Sequence, residues 1–306
     1  MTEKNLPVKK GSHTVNCRPA VESDTQRMFE MTKTIWDGED YIPHVWAEWL
    51  ADPDGKLTVA EYHGRIVGFG KLTRLTDNDW WLEGLRVDPD FEGHGIASQL
   101  HDDLIETWKV IGGGTIRLAT SSKRIQVHRI CNRSGLEKIG ECRYYKADAI
   151  DNECNAFQAI AGNELDELMS YIYKNPYLDI IFGLIDLGWH WAAPTKELIV
   201  KTVNRGHAFW WRKESNLPEG ILLYWEDEWD TDQEARQMIP TIQLILCPPG
   251  MIKDCLIDFR SLAGELGSQH TAWFAPVHDA ILPILELAGY KTERENNLCI
   301  FAKDSD

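Results

Sequence analysis

A glycine-rich turn at residues 93–97 is the part of the sequence best suited to chemistry. In the run VDPDFEGHGIASQL, Gly93, His94 and Gly95 follow an apolar strand and open a helix. Small residues let a backbone approach an anion closely, and the N–H groups and dipole at a helix start attract negative charge. The turn therefore predicts a cradle for phosphate oxygens. A tight strand-to-helix turn that binds nothing is the alternative.

Two familiar phosphate-binding loops are excluded. The chain has no G-x-G-x-x-G motif in an N-terminal βαβ unit, so a dinucleotide-binding fold is not indicated. No Gly-Lys-Ser/Thr follows the turn, so it is not a Walker A loop. Another class of phosphate-containing ligand is expected.

The elements that position this turn alternate between strands and helices. A short strand at 14–20 comes first, then a helix from Glu22 to Trp36 and a short helix at Trp46–Leu50. Three strands precede the turn, and a strand, a helix and a last strand follow its helix, at 56–63, 65–75, 80–87, 115–120, 124–133 and 136–146. The pattern predicts an α/β fold in which the turn follows a meander of strands.

The second half repeats this order more loosely. Helices are expected at 163–174, 197–204, 251–266 and 278–290, with strands between and after them. Two copies of one α/β unit are therefore predicted, as domains 1–150 and 151–306. Two unrelated α+β halves are the alternative.

The charge excludes two classes of partner. The formal net charge is −16, and most of the acidic excess lies in residues 151–306. A protein this acidic does not attract nucleic acid or an anionic membrane as a whole. An anionic ligand suits the first half better.

Cysteine usage and hydropathy indicate a cytoplasmic protein. The seven cysteines are scattered without a C-x-x-C, which favours free thiols over disulfides or zinc, and the ten histidines form no metal-binding pattern. The N-terminus lacks the apolar run of a secretory signal, and prolines break the most apolar stretch, 239–252. No metal and no membrane segment are expected, and a homodimer is left open.

The turn and its neighbours resemble a known family. VDPDFEGHGIASQL is similar to motif A of the GNAT family of N-acetyltransferases, whose pattern is Gln/Arg-x-x-Gly-x-Gly/Ala. The strand ending in LRV and the later NRSGLEKIG fall where that fold has its fourth strand and its last helix and strands. The resemblance covers residues 14–147, and the second half is similar in element order only. DYIP, EWLADPD and LEGLRVDP resemble a subgroup of two-domain acetyltransferases that includes the histidine N-acetyltransferases of vertebrates.

The resemblance implies tandem acyl-CoA N-acyltransferase (GNAT) folds of the α/β class, with a mixed, mostly antiparallel sheet flanked by helices and a degenerate second copy. It also implies acetyl-CoA as co-substrate. The pantetheine arm would hydrogen-bond the edge of the fourth strand at Leu85, Arg86 and Val87. The pyrophosphate would lie on the backbone of Gly93, His94, Gly95, Ile96, Ala97 and Ser98.

The sequence departs from the family at two places. Glu92 stands where the motif has Gln or Arg and would repel a pyrophosphate unless it turns outward, so we expect His94 or Arg86 to supply positive charge. In the last helix, the family's Asn and its Tyr, which protonates the thiolate, correspond to Arg124 and Cys131. Cys131 is either a proton donor to the thiolate or a buried apolar cysteine.

Glu83 is the candidate general base, because the resemblance places it in the fourth strand beside the reacting groups. A carboxylate in an apolar strand costs free energy unless it is paired or functional. Burial would raise its pKa toward the range useful for accepting a proton from an ammonium group. A salt-bridged strand carboxylate is the alternative.

The loop before the second helix carries candidate acceptor-binding groups. The resemblance implies that this loop covers the acceptor, so Asp37, Glu39 and Asp40 would bind a cationic amine and Tyr41 would help to exclude water. Ser121, after the fifth strand, would hydrogen-bond the acceptor or the thioester region. A solvated surface loop and a helix-capping serine are the alternatives.

The second half lacks the cradle. In LILCPPGMIKD, Pro248 and Pro249 remove two backbone N–H groups where a phosphate would need them, and only Gly250 remains. The second copy is therefore expected to complete the acceptor pocket rather than to bind the cofactor.

The predicted function is transfer of acetyl from acetyl-CoA to a primary amine of a small molecule, such as an amino acid, by direct attack in a ternary complex. The alternative is a non-catalytic sensor or scaffold that binds CoA or acyl-CoA, which the missing tyrosine favours.

Overall fold

The computed structural model describes residues 13–33, 35–111, 113–213, 217–227 and 238–305, without the side chains of Trp36 and Asp37. These residues form two units that are not contiguous in the chain. The first holds the described residues up to Leu118, His128–Leu136 and those from Ala302 onward, and the second holds Ala119–Val127 and Glu137–Phe301. The division differs from the predicted single boundary at residue 150, because the last strand of the chain ends in the first unit.

The first unit is built on five strands, which are β1 Asn16–Pro19, β2 Lys56–Tyr62, β3 Arg65–Arg74, β4 Asp79–Val87 and β5 Thr115–Ser121, whose last three residues belong to the second unit. They lie in that order, and only β4 and β5 run parallel. This mixed, mostly antiparallel sheet confirms the predicted fold class.

Helices cover both faces of these strands. Val59 packs in one cluster with α1 (Thr25–Thr32) and α2 (Ile42–Ala51), whereas its neighbour Ala60 packs with α3 (Ile96–Ile111), because successive strand residues face opposite sides. The fourth helix, α4 (Ile125–Ser134), follows β5. The buried face of α3 is formed by apolar residues at helical spacing, which are Ile96, Leu100, Leu104 and Trp108.

The second unit has the same element order. Its strands are β6 Glu137–Asp148, β7 Phe157–Ala159, β8 Ile185–Asp186, β9 Trp191–Ala192, β10 Ala208–Trp211, β11 Gly220–Asp227, β12 Ile239–Leu246 and β13 His270–Pro276, and β14 Leu298–Asp304 starts there. Its helices are α5 Leu165–Lys174, α6 Lys196–Asn204, α7 Ile252–Glu265 and α8 Leu282–Leu287.

The main strands of this unit lie in the order β6-β13-β12-β11-β10-β7, and only β12 and β13 run parallel. The strands β8 and β9 form a separate two-stranded hairpin. The position of the one parallel pair is therefore the same in both units.

Three elements differ from the sequence prediction. Helix α1 ends at Thr32, because a 3-10 turn follows at Ile35–Gly38. Helix α8 is shorter than expected and carries Pro283 in its first turn, where a proline is tolerated. The β8–β9 hairpin was not predicted, because its two-residue strands carry no periodic pattern. Each helix among the described residues is too short or too polar to span a bilayer.

Candidate active site

Strand β4 contains a bulge at its centre. Phe69 pairs with Arg86 and Lys71 with Glu83, so two residues of β4, Gly84 and Leu85, oppose one residue of β3. Gly84 has a left-handed φ of 64°, and a Cβ there would lie 2.5 Å from the ring of Trp49. Only glycine meets both conditions without strain. The bulge therefore redirects the backbone amides of the strand at Gly84.

Beyond the bulge, β4 and β5 separate. Their parallel pairing covers only Asp79–Trp81 against Thr115–Arg117, although β4 continues to Val87 and all these residues are described. The amide and carbonyl groups on this side of Leu85–Val87 therefore face an opening instead of a paired strand. Such an edge is suited to hydrogen-bond an extended, amide-containing ligand.

The predicted cradle lies directly after β4. The Asp88 side chain accepts a hydrogen bond of 3.0 Å from the Asp90 N–H and begins a 3-10 turn at Pro89–Phe91. Gly93 and Gly95 then have left-handed φ angles of 81° and 80°. Left-handed residues beside a helix start form a concave set of amides that binds anions. The structure thus brings the cradle residues and the open strand edge together in one unit.

His13 also belongs to this turn, and sequence reasoning missed it. Its N–H donates to the His94 carbonyl at 3.1 Å, and its ring stacks on that of His94 with 3.9 Å between centroids. The Gln99 side chain donates to the His13 carbonyl at 2.6 Å. Desolvation, followed by the charges of His94 and His63, lowers the pKa of His13. No local pattern indicates this contact, because it joins residues far apart in sequence.

Charge near the cradle is arranged differently from the prediction. Arg86 was expected to compensate Glu92, but its guanidinium is bound by both oxygens of Asp40, at 2.9 and 3.0 Å. Glu92 is exposed at the turn. The charge of Arg86 is therefore committed to Asp40, and His94 is the predicted compensating residue that lies at the cradle.

Glu83 and Tyr41 meet at the bulge. Glu83 accepts a hydrogen bond from the Thr73 hydroxyl on β3, so a neutral donor holds this carboxylate. Desolvation and the charge of Glu83 raise the pKa of Tyr41, whereas a hydrogen bond with the Gly84 backbone lowers it. Tyr41 is 39% exposed, and its ring packs edge-on against the ring of Trp49 with 6.1 Å between the ring centroids. The arrangement provides a proton acceptor, a hydroxyl and strand amides in one place.

The remaining predicted residues have other surroundings. Cys131 is fully buried in α4, and burial raises its pKa to about 12, which fits the alternative of a buried apolar cysteine. Ser121 and Arg124 belong to the second unit, where the Ser121 hydroxyl accepts from the Lys123 N–H at 3.3 Å and the Arg124 N–H donates to the Ser121 carbonyl. The side chain of Asp37 lies outside the described residues, and Glu39 is exposed.

The corresponding turn of the second unit is shorter. A 3-10 turn at Pro249–Met251 runs directly into α7 at Ile252, whereas Glu92–Gly95 separate the equivalent turn from α3 in the first unit. The second unit therefore has no residues corresponding to Glu92–Gly95, and its turn carries prolines in addition. Within the described ranges, no group of three His, Cys, Asp or Glu side chains is placed to hold a metal ion.

Comparisons with known proteins agree with this geometry. Residues 20–135 match the profile of the acetyltransferase (GNAT) family. A histidine N-acetyltransferase of Oreochromis niloticus is 33% identical over 82 residues, which are 26% of this chain and 24% of the relative. The N-alpha-acetyltransferase RimI of Mycobacterium tuberculosis is 25% identical over 156 residues, which are 49% of this chain and 92% of the relative.

A solved structure extends the likeness to the whole fold. A GCN5-related N-acetyltransferase from Sphaerobacter thermophilus aligns over 95% of both chains with a TM-score of 0.61 and 11% identity. The chain spans about a quarter of the length of the fish relative. The matched range includes β4, its bulge, the cradle and α3, so this part of the chain is similar to the GNAT acetyltransferase family.

Proposed function

We propose that the chain is an acetyl-CoA-dependent N-acetyltransferase that acts on a primary amine of a small molecule, such as an amino acid. One observation carries the proposal: a bulged strand opens from its neighbour directly before a glycine cradle, with Glu83 at the bulge. The family match supports acetyl transfer, and the fish relative supports an amino acid as the acceptor class.

The residues present fit acetyl-CoA. The edge at Leu85–Val87 offers amide and carbonyl groups to the pantetheine arm, and the amides of Gly93–Ser98 offer donors to the pyrophosphate. Acetyl-CoA supplies the activated thioester when it is bound. Among the described residues, the first unit alone holds these groups, so we propose one acetyl-CoA site per chain.

Glu83 is proposed to accept the proton of the acceptor ammonium, directly or through a water. The hydrogen bond from Thr73 orients the carboxylate without neutralising its charge. The neutral amine then attacks the thioester carbonyl, and the strand amides next to the bulge stabilise the developing oxyanion. The C–N bond forms as the C–S bond breaks.

Tyr41 is the proposed proton donor to the departing thiolate. Its hydroxyl is protonated at neutral pH, and it lies beside Glu83 and the Gly84 backbone. This role replaces the one considered for Cys131, which is fully buried.

Release of free thiol from acetyl-CoA, measured with a panel of small primary amines, tests the proposal. We expect turnover with at least one amino acid or small amine, and about a 100-fold or greater loss in Glu83→Gln. Glu106→Gln is the matched control, because Glu106 is an exposed carboxylate on α3 that pairs with Lys109. Equal rates in the two variants would overturn the role of Glu83.

A non-catalytic acyl-CoA sensor is the second candidate. The observation that favours it is the burial of Cys131, which leaves the usual helix without an exposed acid. Calorimetric titration separates the two functions: saturable acetyl-CoA binding without thiol release across the amine panel would establish the sensor.

A further inference from the structure

Two histidine rings stack beside the glycine cradle of the first unit. His94 stands between Gly93 and Gly95, and its ring lies 3.9 Å from that of His13, centroid to centroid, with 19° between the ring planes. The His13 ring also stacks on the phenol ring of Tyr62, at 4.5 Å and 2° from parallel. Two rings this close and this parallel lie on opposite faces of His13. Tyr62, His13 and His94 therefore form one stack that reaches the cradle.

The backbone holds His13 at the cradle as firmly as the rings do. Its N–H donates to the His94 carbonyl at 3.1 Å, and its carbonyl accepts from the Gln99 amide group at 2.6 Å. The Gln99 side-chain oxygen accepts from the Val15 N–H at 3.1 Å. Because Gln99 lies in the first turn of α3, the segment 13–15 is bonded to both the turn and its helix. The fold therefore sets the position of the His13 ring.

The groups around this stack come from three elements. They are Tyr62, His63 and Arg65 of the β2–β3 hairpin, Asp90, Glu92 and His94 of the turn, and the neutral Gln99 of α3. Arg65 pairs with Asp88 at 2.9 Å, and both carboxylates of the turn are exposed. Desolvation, followed by the charges of His94 and His63, lowers the pKa of His13. A proton on the stack is therefore disfavoured while the cradle is empty.

An anion at the cradle reverses this balance. Two imidazoles in contact resist a double charge, but they can bind one proton that belongs to the pair rather than to either ring. An opposite charge within about 4–6 Å raises a histidine pKa by about 1–3 units. The His94 N–H is a proposed donor to the pyrophosphate, so the His94 ring lies next to the bound charge. The Tyr62 ring supports a cation on His13, because aromatic faces attract cations.

We propose, building on the proposed function of this cradle, that binding of the pyrophosphate of acetyl-CoA is coupled to uptake of one proton from the solvent by the His13–His94 pair. The imidazolium supplies a positive charge beside the pyrophosphate. The chain carries Glu92 at this place, and the charge of Arg86 is committed to Asp40. His13 is therefore part of the cofactor site, although it is distant from the turn in sequence.

Calorimetric titration of the full chain with acetyl-CoA tests the proposal. Titrations in two phosphate-free buffers of different ionisation enthalpy measure the protons taken up per acetyl-CoA bound. We expect uptake of about 0.3 to 1 proton between about pH 6 and about pH 8, with an affinity that falls by up to about tenfold per unit as the pH rises. Uptake of zero, or release of protons, across this range would overturn the proposal.

A second ligand separates the two phosphate groups of acetyl-CoA. Acetylated dephospho-CoA keeps the pyrophosphate but lacks the 3′-phosphate, a phosphate monoester that itself titrates near pH 6. We expect this ligand to show proton uptake as well. Uptake with acetyl-CoA but none with the dephosphorylated ligand would assign the proton to the 3′-phosphate end and overturn the proposal.

Matched variants assign the proton to the stack. The double variant His13→Phe with His94→Phe keeps two flat rings and the backbone hydrogen bonds but has no ring nitrogen to protonate. We expect its uptake to fall below about 0.1 proton, and its affinity to fall about tenfold at about pH 6 with little change at about pH 8. His44→Phe removes an exposed histidine from α2 and should keep the uptake of the parent. Equal uptake in the double variant and the parent would contradict the assignment.

The parent protein provides a second readout if the double variant does not fold. The imidazole NMR signals of His13 and His94 report their titration directly. We expect their midpoint to rise by about one pH unit or more when acetyl-CoA or inorganic pyrophosphate saturates the cradle. Acetyl-CoA binding with unchanged midpoints would overturn the proton coupling and leave the proposed function standing. An absence of acetyl-CoA binding would overturn both.

Discussion

Arg86 and Asp40 form a buried, two-bonded ion pair that joins strand β4 to the start of α2. Their side chains are only 11% and 1% exposed. Asp40 also accepts a hydrogen bond of 3.2 Å from the Ile42 N–H. Tyr41 lies between these two anchors, so the pair holds Tyr41 over the bulge at Gly84. These contacts favour a positioning role for Asp40, and direct binding of the acceptor by Asp40 stays a prediction.

Removing the charge of Asp40 should destabilise the first unit. Asp40→Asn leaves the Arg86 guanidinium buried without a counter-charge, so we expect the free energy of unfolding to fall by about 3 kcal/mol. The control is Asp77→Asn, which breaks an exposed pair with Arg74 and should cost less than about 1 kcal/mol. Urea unfolding measures both values, and similar losses would contradict a special role for the buried pair.

The bulge should tolerate only glycine at residue 84. Gly84→Ala combines a left-handed φ with a Cβ 2.5 Å from Trp49, so we expect a loss of several kcal/mol in unfolding free energy (roughly 3) and impaired acetyl-CoA binding. Gly64→Ala carries the same kind of φ in a hairpin with open space around it, and should cost about 1 kcal/mol. A comparable loss in the two variants would show that packing against Trp49 does not matter.

The cradle should bind acetyl-CoA only in the first unit. Gly95→Glu adds bulk and negative charge at a left-handed position, and we expect acetyl-CoA affinity to fall about 100-fold or more. Gly250→Glu changes the corresponding turn of the second unit, where no atom lies within 4 Å of an added Cβ, and should leave affinity unchanged. Calorimetric titration measures affinity and stoichiometry together. Two acetyl-CoA molecules per chain would refute this assignment.

Tyr41 should affect catalysis rather than cofactor binding. Tyr41→Phe removes the hydroxyl that lies beside Glu83 but keeps the ring contact with Trp49. We expect kcat to fall about 10- to 100-fold while the Kd for acetyl-CoA is unchanged. Steady-state thiol release and calorimetry separate the two effects. A kcat equal to that of the parent would show that a group other than the Tyr41 hydroxyl donates the proton.

His101 should make the first unit sensitive to acid. Burial lowers its pKa from 6.5 to about 4, and its Nε2 lies 2.8 Å from the Ser134 hydroxyl. The unfolded chain binds the proton first, so the stabilisation present above about pH 6.5 is lost as the pH falls toward 4, by about 3 kcal/mol at most. Unfolding curves of the parent and His101→Gln should converge in this window. Parallel pH profiles would show that His101 does not contribute.

The strands and the cradle were predictable because their signals are local. Alternating apolar residues mark β2 to β4, and two glycines before α3 mark the turn within a few positions. The contacts that give the site its chemistry are not local: Asp40 and Arg86 are 46 residues apart, and His13 and Gln99 are 86 apart. Pairing of this kind depends on how the layers pack, which residue types alone do not encode.

The second unit shows the same difference between local sequence signals, which were predictable, and geometry set by packing, which was not. The loss of its cradle was predictable, since two prolines in one turn exclude backbone donors. The β8–β9 hairpin was not, because strands of two residues have no measurable periodicity. Its geometry depends on left-handed residues such as Trp189, a conformation that the residue type disfavours.

The ending of β14 in the first unit constrains the order of events during synthesis. The last described residues bond to the first unit: Lys303 to the Ser134 carbonyl at 2.8 Å, Asp304 to the Thr115 hydroxyl at 2.6 Å and Ser305 to the Gly114 carbonyl at 2.8 Å. Their partners leave the ribosome long before they do. The nascent first unit must therefore wait, with an unsatisfied strand edge exposed, until residues 303–305 have been translated.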